Sequence, residues 1–497
     1  MNNCFYSPKL TVTLGLFLLT FLEQFTPNLL AIEALKHSYL ISQSEEKSSI
    51  CPADLSQEIE RIIKEEKYRR SRWGILIQTL DSGSTLYALD EQKYFIPASN
   101  VKLLTTAAVL LKYGSQFRIN TPIYITGNYP HLQTLRIVGK GDPSLTTQQL
   151  QTLAKWLKIR GIKQIDQLIV TDGDFKESPI NLTWEWEDIQ FYYATAINHL
   201  ILNENAVTLK LIPQNVGEPL KLEWSDSLAG QQWQINNQTL TAPKDTAYSI
   251  TIERDFAQPI LTLKGELASN TEPDTFGLAV VNPTTYFLES LQQILAQENI
   301  IVGETKVINN PEIINNEREL TIIESQPVSF LITKANEDSN NLFAESLLNL
   351  LGNETKNQTS LDGLKDSLSQ LGIPANFYHL KDGSGLSRHN LVTPEALVRT
   401  LRLMSKTSEA DNYRNSLAVA GVRGTLQERF KETEIKENLQ AKTGTLSGVS
   451  ALSGYLSPPN YPPLVFSIIV NQSELPPSEL RQIIDRIILV LSRIKHC

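Results

Sequence analysis

The sequence contains few of the residues that most often bind metals or act as catalytic bases. Its 497 residues include three cysteines and six histidines, and these do not occur at the spacings of a zinc site. No histidine stands where it suggests a Ser-His-Asp triad, although Gly383-Ser384-Gly385 resembles a fragment of a nucleophile elbow. We therefore expect no metal and no other cofactor, and we interpret the fragment as a glycine-rich turn near a cleft.

Positive charge is also scarce. The 45 lysines and arginines are outnumbered by 54 aspartates and glutamates, which gives a formal net charge of −9, and no basic stripe runs along the chain. Binding to nucleic acid phosphates requires clustered Lys and Arg, so we expect no nucleic acid partner. A content of 41% hydrophobic and 20% charged residues is typical of a globular protein, and the length predicts two or three domains.

The chain lacks the long apolar run of a typical membrane-spanning helix near its start. Residues 10–22, which follow Lys9, have about the length of the apolar region of a secretory signal and are short for a membrane span. We therefore predict that residues 1–35 are a signal peptide or an N-terminal anchor and that the protein is exported to the periplasm. Peripheral or N-terminal membrane association is the alternative to cleavage of this segment.

The cysteines beyond that segment are Cys51 and Cys497, one near each end of the remaining chain. In an oxidising compartment two such cysteines can pair if the chain ends are neighbours. We predict this disulfide, with two unrelated thiols as the alternative.

The first catalytic candidates are Ser99 and Lys102, three residues apart within residues 97–113. Apolar residues recur there at helical spacing and stop at Gly114, so we predict a helix with both side chains on one face near its start. A lysine can take the proton of a serine hydroxyl only if its pKa falls from about 10.4 toward roughly 7 to 8. The pattern thus predicts a partly dry pocket, with the Ser99 N–H as half of an oxyanion hole.

A second pair of candidates, Ser339 and Asn341, lies where a polar loop runs into a segment of helical apolar periodicity. Helix capping is one interpretation, because Ser and Asn are common caps. In a catalytic interpretation the Ser339 hydroxyl relays a proton between Lys102 and the leaving group, while the Asn341 amide holds a substrate carbonyl.

The third string is Lys442-Thr443-Gly444, in a run that we predict to be a strand turning into a second strand. Lys442 would place a fixed positive charge in the cleft, and Gly444 suits the close approach of a ligand. Thr443 and Thr445 are candidates for binding a substrate carboxylate, and the Thr445 N–H would complete the oxyanion hole. A surface turn is the alternative for this string alone.

Each string alone is common, but the three occur in the order, and on the kinds of element, that one acyl-serine site requires. With them the chain resembles the D-alanyl-D-alanine carboxypeptidase and endopeptidase family, the class C low-molecular-mass penicillin-binding proteins. Further strings that carry the resemblance are residues 139–145, 186–188, 203–205, 382–387, 420–426 and 448–455. The role of Asp188 in the second of these is open.

The resemblance implies a serine-type D-Ala-D-Ala carboxypeptidase that acts on peptidoglycan stem peptides through a Ser99 acyl-enzyme and is inhibited covalently by β-lactams. An endopeptidase would use the same site, since only the leaving group differs. A β-lactamase is the next alternative, but Ser99 and Ser339 are 240 residues apart, which is more than a compact β-lactamase needs. A third alternative is a penicillin-binding module that senses the wall without turnover.

The predicted fold is of the α/β (α+β) class, with a transpeptidase/β-lactamase-like domain made of an antiparallel sheet and a helical lobe. Its first part is expected at residues 51–118 and its second part at 277–497. Short strand-like runs dominate residues 119–276, so we predict a large β-rich insertion between the first two active-site strings.

Overall fold

The computed structural model describes residues 49–173, 178–309, 316–352 and 359–497. The predicted signal or anchor segment, residues 1–35, lies outside these ranges. Within them no helix has both the length and the apolar character needed to cross a membrane. The same ranges contain no group of three or more His, Cys, Asp or Glu side chains placed to hold a metal ion.

Strands and helices are numbered in chain order over the described residues. The strands are β1 Arg72–Thr79, β2 Thr85–Leu89, β3 Asn120–Asn128, β4 His131–Val138, β5 Gln164–Thr171, β6 Ala206–Ile212, β7 Lys221–Trp224, β8 Gln234–Ala242, β9 Thr251–Arg254, β10 Ile260–Ala268, β11 Asp274–Ala279, β12 Ile301–Ile308, β13 Arg318–Glu324, β14 Tyr378–His379, β15 Leu391–Val392, β16 Ala418–Val419, β17 Leu439–Leu446, β18 Val449–Leu456 and β19 Leu464–Asn471. The helices are α1 Leu55–Ile63, α2 Val101–Tyr113, α3 Thr147–Ile159, α4 Ser227–Gln231, α5 Pro283–Gln297, α6 Val328–Asn336, α7 Asn341–Gly352, α8 Ser360–Leu371, α9 Pro394–Met404, α10 Ala410–Asn415 and α11 Pro477–Ser492.

A six-stranded antiparallel sheet of order β16-β17-β18-β19-β1-β2 separates two apolar cores. Alternate residues of β19 serve the two faces: Val465 and Ile469 pack with α2 and α6 to α9, whereas Phe466 and Ile468 pack with α1 and α11. The near-continuous apolar sequence of β19 follows from this burial on both sides. The predicted mixed fold with an antiparallel sheet and a helical lobe is confirmed.

The two ends of the described chain meet beside α1 and α11. Ile50 N donates to Arg493 O (2.9 Å), and Lys495 N donates to Ile50 O (3.0 Å). The adjacent Cys51 and Cys497 form the predicted disulfide. The bond therefore ties together the two terminal segments on the sheet face opposite α2.

The inserted segment has its own core around a five-stranded sheet of order β12-β5-β4-β3-β13, which packs with α3 and α5. Two three-stranded sheets, β8-β10-β9 and β11-β6-β7, adjoin it. The sequence prediction ended this segment at residue 276, whereas β12 pairs with β5 and β13 pairs with β3. We therefore place its end after Glu324. The apolar period of the sequence predicts the helix α5, but it does not show that this helix packs in the core of the inserted segment.

Candidate functional site

The first candidate pair lies where the chain enters α2. A 3-10 turn, Ala98–Asn100, precedes the helix, and Ala98 has a positive φ of 48°. The helix then runs to Tyr113 and ends at Gly114. Lys102 Nζ lies 2.9 Å from Ser99 Oγ, so the two side chains share one face as expected from their spacing.

Lys102 is fully buried. Its Nζ donates to Asn341 Oδ1 (2.6 Å) and to the Ser384 carbonyl oxygen (2.6 Å). Burial lowers the pKa of Lys102 to about 7, against the opposing effect of the Asp382 and Glu345 carboxylates. Near neutral pH a large fraction of this lysine is therefore the free amine, which can accept a proton.

The second string joins the same network through the start of α7. Ser339 adopts a positive φ of 59°, and Asn341 is the first helical residue. Besides accepting from Lys102, Asn341 donates from Nδ2 to Tyr193 O (2.7 Å). Helix capping falls to Asn340, whose Oδ1 accepts from Phe343 N (3.1 Å). The side chains of Ser339 and Asn341 thus contact the two lysines, Lys442 and Lys102, while the residue between them caps the helix.

Lys442 brings the third string to Ser339. It is fully buried, and its Nζ donates to Ser339 Oγ (2.8 Å) and to Thr443 O (2.9 Å). Burial, together with the neighbouring Lys102, lowers the pKa of Lys442 well below its usual value. This direction opposes the fixed positive charge that the sequence suggested for Lys442.

The rest of the third string lies on β17, which pairs with β18 as the predicted two strands. Thr443 donates from Oγ1 to Thr425 Oγ1 (2.8 Å), whereas Thr445 is exposed. Gly444 packs against the turn before α2, since a Cβ there would lie 2.8 Å from Pro97 O. Gly444 therefore has a packing role beside its predicted role in ligand approach.

A second glycine, Gly385, also packs against the turn that carries Ser99. Gly385 has a positive φ of 86°, and a Cβ at this position would lie 1.9 Å from Ala98 O and 2.9 Å from Ser99 N. Only glycine fits here without moving the turn that carries Ser99.

We expect Gly385→Ala to slow the predicted acylation of Ser99 by penicillin by at least about 10-fold and to cost about 2–4 kcal/mol of stability, because the new methyl group displaces the Ser99 turn. Stopped-flow acylation and urea unfolding measure the two effects. Gly372→Ala is the matched control, since Gly372 also has a positive φ (94°) but its Cβ would come no closer than 3.8 Å to Leu403. Equal effects of the two substitutions would contradict this explanation.

A buried carboxylate that was not predicted from the sequence lies behind Lys102. Glu345 accepts from Ser384 N (2.8 Å) and Gly383 N (3.1 Å), and Ser384 is the residue whose carbonyl accepts from Lys102. Burial and the nearby Asp382 raise the pKa of Glu345 to about 8. In the sequence, the feature that could have indicated this buried carboxylate is a glutamate among the apolar residues of α7.

A second unpredicted contact holds the loop before Ser339. Arg423 forms an ion pair with Glu337, and Thr425 N donates to Glu337 O (3.1 Å). Since Thr425 also contacts Thr443, the segment at residues 420–426 links the second and third strings. The sequence indicated residues 420–426 as part of the family resemblance, but it did not indicate their contact with Glu337.

A model of the D-Ala-D-Ala carboxypeptidase 3 (S13) family matches residues 55–493. The chain is 28% identical over 438 residues to a D-alanyl-D-alanine carboxypeptidase of an Actinomadura species, covering 84% of this chain and 81% of the relative. It is 27% identical over 404 residues to the D-alanyl-D-alanine carboxypeptidase DacB of Haemophilus influenzae, covering 78% and 82%. The crystal structure of penicillin binding protein 4 (dacB) from Haemophilus influenzae superposes with a TM-score of 0.75 at 25% identity, covering 89% of this chain and 98% of that one.

Proposed function

Because the chain belongs to the D-Ala-D-Ala carboxypeptidase 3 (S13) family, we propose that Ser99 is the nucleophile with which it releases D-alanine from peptidoglycan stem peptides. One observation carries the assignment: Ser99 Oγ lies 2.9 Å from the Nζ of a fully buried lysine. A serine hydroxyl needs such a base before it attacks a carbonyl at neutral pH.

The hydrogen bonds of Lys102 orient its amine to accept the proton of Ser99 during acylation. A neutral amine has two N–H groups and one lone pair. Asn341 Oδ1 and Ser384 O accept the two N–H groups, which leaves the lone pair for the Ser99 hydroxyl. As Ser99 Oγ bonds to the carbonyl carbon between the two D-alanines, its proton passes to Lys102, and the N–H groups of Ser99 and Thr445 bind the oxyanion.

The leaving D-alanine must gain a proton as the C–N bond breaks. We assign that transfer to Ser339, whose hydroxyl lies 2.8 Å from Lys442 Nζ and can pass on the proton that Lys102 has taken. Thr443 and Thr445 would bind the substrate carboxylate, and Gly444 would allow its close approach. Water then hydrolyses the Ser99 ester, which restores the hydroxyl and releases the shortened peptide.

The acylation rate should depend on the protonation of Lys102. Its pKa of about 7 lies below the value for a free lysine, so the active amine is the form present above that pH. We expect the second-order rate of acylation to rise about tenfold between pH 6 and pH 8 and then level off. A rate that keeps rising through pH 9 would show that Lys102 retains an ordinary lysine pKa, and would contradict this role.

Product analysis tests the proposed activity. The purified protein is incubated with a stem pentapeptide that ends in D-Ala-D-Ala, and free D-alanine is measured. We expect one D-alanine per peptide, and covalent labelling by a fluorescent penicillin at the same site. Cleavage of crosslinked muropeptides into monomers, without release of D-alanine from the pentapeptide, would instead identify an endopeptidase. Rapid turnover of penicillin without D-alanine release would identify a β-lactamase.

We place this activity in the periplasm. Peptidoglycan is the substrate of the proposed reaction, and the Cys51–Cys497 disulfide is typical of proteins in oxidising compartments. Cell fractionation followed by penicillin labelling checks this location, and labelled protein confined to the cytoplasm would contradict it.

A further inference from the structure

The string Asn203-Glu204-Asn205 has no role in the reaction described above. It forms a turn in which three consecutive residues other than glycine have positive φ values, 50°, 60° and 48°. Asparagine adopts this conformation more readily than glutamate does. Such strain persists where the surroundings enforce it, often near a functional site, so the glutamate at the centre of the turn requires an explanation.

The two asparagines fix the turn within the inserted segment. Asn203 Nδ2 donates to Thr147 Oγ1 (2.7 Å) and Tyr286 Oη (2.8 Å). Asn205 is fully buried, and its Nδ2 donates to Asn198 Oδ1 (2.9 Å). These bonds hold both ends of the turn on the inserted core, so the position of Glu204 is set by that core.

The Glu204 side chain contacts the catalytic loop, which is the segment Ser339-Asn340-Asn341. Its Oε2 accepts from Asn340 Nδ2 at 2.7 Å. Asn340 lies between Ser339 and Asn341, and its other amide atom caps α7. The bond therefore joins the inserted segment to the residue at the centre of the second active-site string, beside the positive φ of Ser339.

We propose that Glu204 is a positioning residue for the acylation reaction. By holding Asn340, its carboxylate keeps Ser339 Oγ against Lys442 and Asn341 Oδ1 against Lys102. The inserted segment thereby supports the catalytic loop directly. This inference rests on the proposed function, because it assigns a purpose to the placement of Ser339 and Asn341.

The first test distinguishes the effect of the Glu204 carboxylate from the effect of the strained backbone of its turn. Glu204→Gly removes the side chain and also relieves the backbone strain, because glycine adopts a positive φ without steric clash. We expect the second-order rate of acylation by a fluorescent penicillin to fall about 10-fold, as for the loss of a hydrogen bond to a charged group, while the melting temperature changes little because the relief of backbone strain offsets part of that loss. Glu204→Gln keeps an acceptor oxygen at the same reach and should retain most of the rate.

Asp245→Gly is the matched control for the first test. Asp245 is also an acidic residue of the inserted segment with a positive φ, 62°, and it accepts from Asn270 rather than from the catalytic loop. The acylation rate of this variant should equal that of the unmodified protein. Since the rate is measured well below the melting temperature, where nearly all of each variant is folded, a merely structural role for Glu204 would leave the rate unchanged.

The second test exchanges donor and acceptor. Asn340→Asp keeps the cap of α7 but places a carboxylate against Glu204, so acylation should slow. In the double variant Asn340→Asp/Glu204→Gln, the glutamine amide can donate to the new aspartate, and the rate should recover. An unchanged rate in Glu204→Gly, or no recovery in the double variant, would overturn the inference. Absence of labelling in the unmodified protein would instead overturn the proposed function.

Discussion

Ser99→Ala is expected to abolish covalent labelling by penicillin and to lower the rate of D-alanine release by about 10⁴-fold or more, since no other group can form the acyl-enzyme. Labelling is measured by fluorescence in a gel, and D-alanine by an enzymatic assay. The variant should keep its fold, because the lost hydroxyl belongs to a partly exposed residue of the turn before α2.

Ser369→Ala is the matched control for this substitution, since Ser369 is an exposed serine on α8. It should leave labelling and D-alanine release unchanged. Penicillin labelling that persists in Ser99→Ala would show that another serine is the nucleophile and would overturn the assignment. A large loss of stability in Ser99→Ala would show instead that the hydroxyl has a structural role.

Lys102→Met is expected to lower the acylation rate by about 10³-fold, which is within the range found for the loss of a general base. Methionine has a similar length and is apolar, so the site stays filled. Asn341 Oδ1 and Ser384 O lose their donor. Stopped-flow acylation measures the rate, and the rise between pH 6 and pH 8 should disappear because the titrating group is gone.

The control for this variant is Lys365→Met, because Lys365 is an exposed lysine on α8. Its acylation rate and pH profile should match those of the unmodified protein. If Lys102→Met kept the same dependence on pH, the titrating group would be another residue. The candidates are Lys442 and Glu345, two buried groups of shifted pKa that interact electrostatically with Lys102.

The elements that carry the three strings were predictable because each has a local signal. The period of the apolar residues gave the helix that follows Ser99, and Gly114 marked its end. The two strands from Lys442 onward follow from a run of β-forming residues around a turn at Gly448. Local periodicity thus sufficed to predict α2, β17 and β18. The order of the strings, through the family resemblance, predicted that their side chains form one site.

Contacts between distant segments were not predictable in the same way. The pairing of β13 with β3 joins residues 193 to 204 positions apart, from Arg318 with Ile125 to Glu324 with Asn120, and no local pattern marks such a pairing. Glu345 and Glu337 resemble ordinary helix and loop residues until the fold brings them to Gly383 and Arg423. The sequence also could not reveal that the Asn341 amide binds Lys102 and Tyr193 within the protein.

Mapping the acyl adduct tests the central claim most directly. The protein is treated with penicillin, quenched in acid and digested with trypsin, and the peptides are analysed by mass spectrometry. We predict a single adduct on the peptide of residues 94–102, which contains Ser99 as its only serine. An adduct on the peptide that contains Ser339, or the absence of any adduct, would contradict the assignment of Ser99 as the nucleophile.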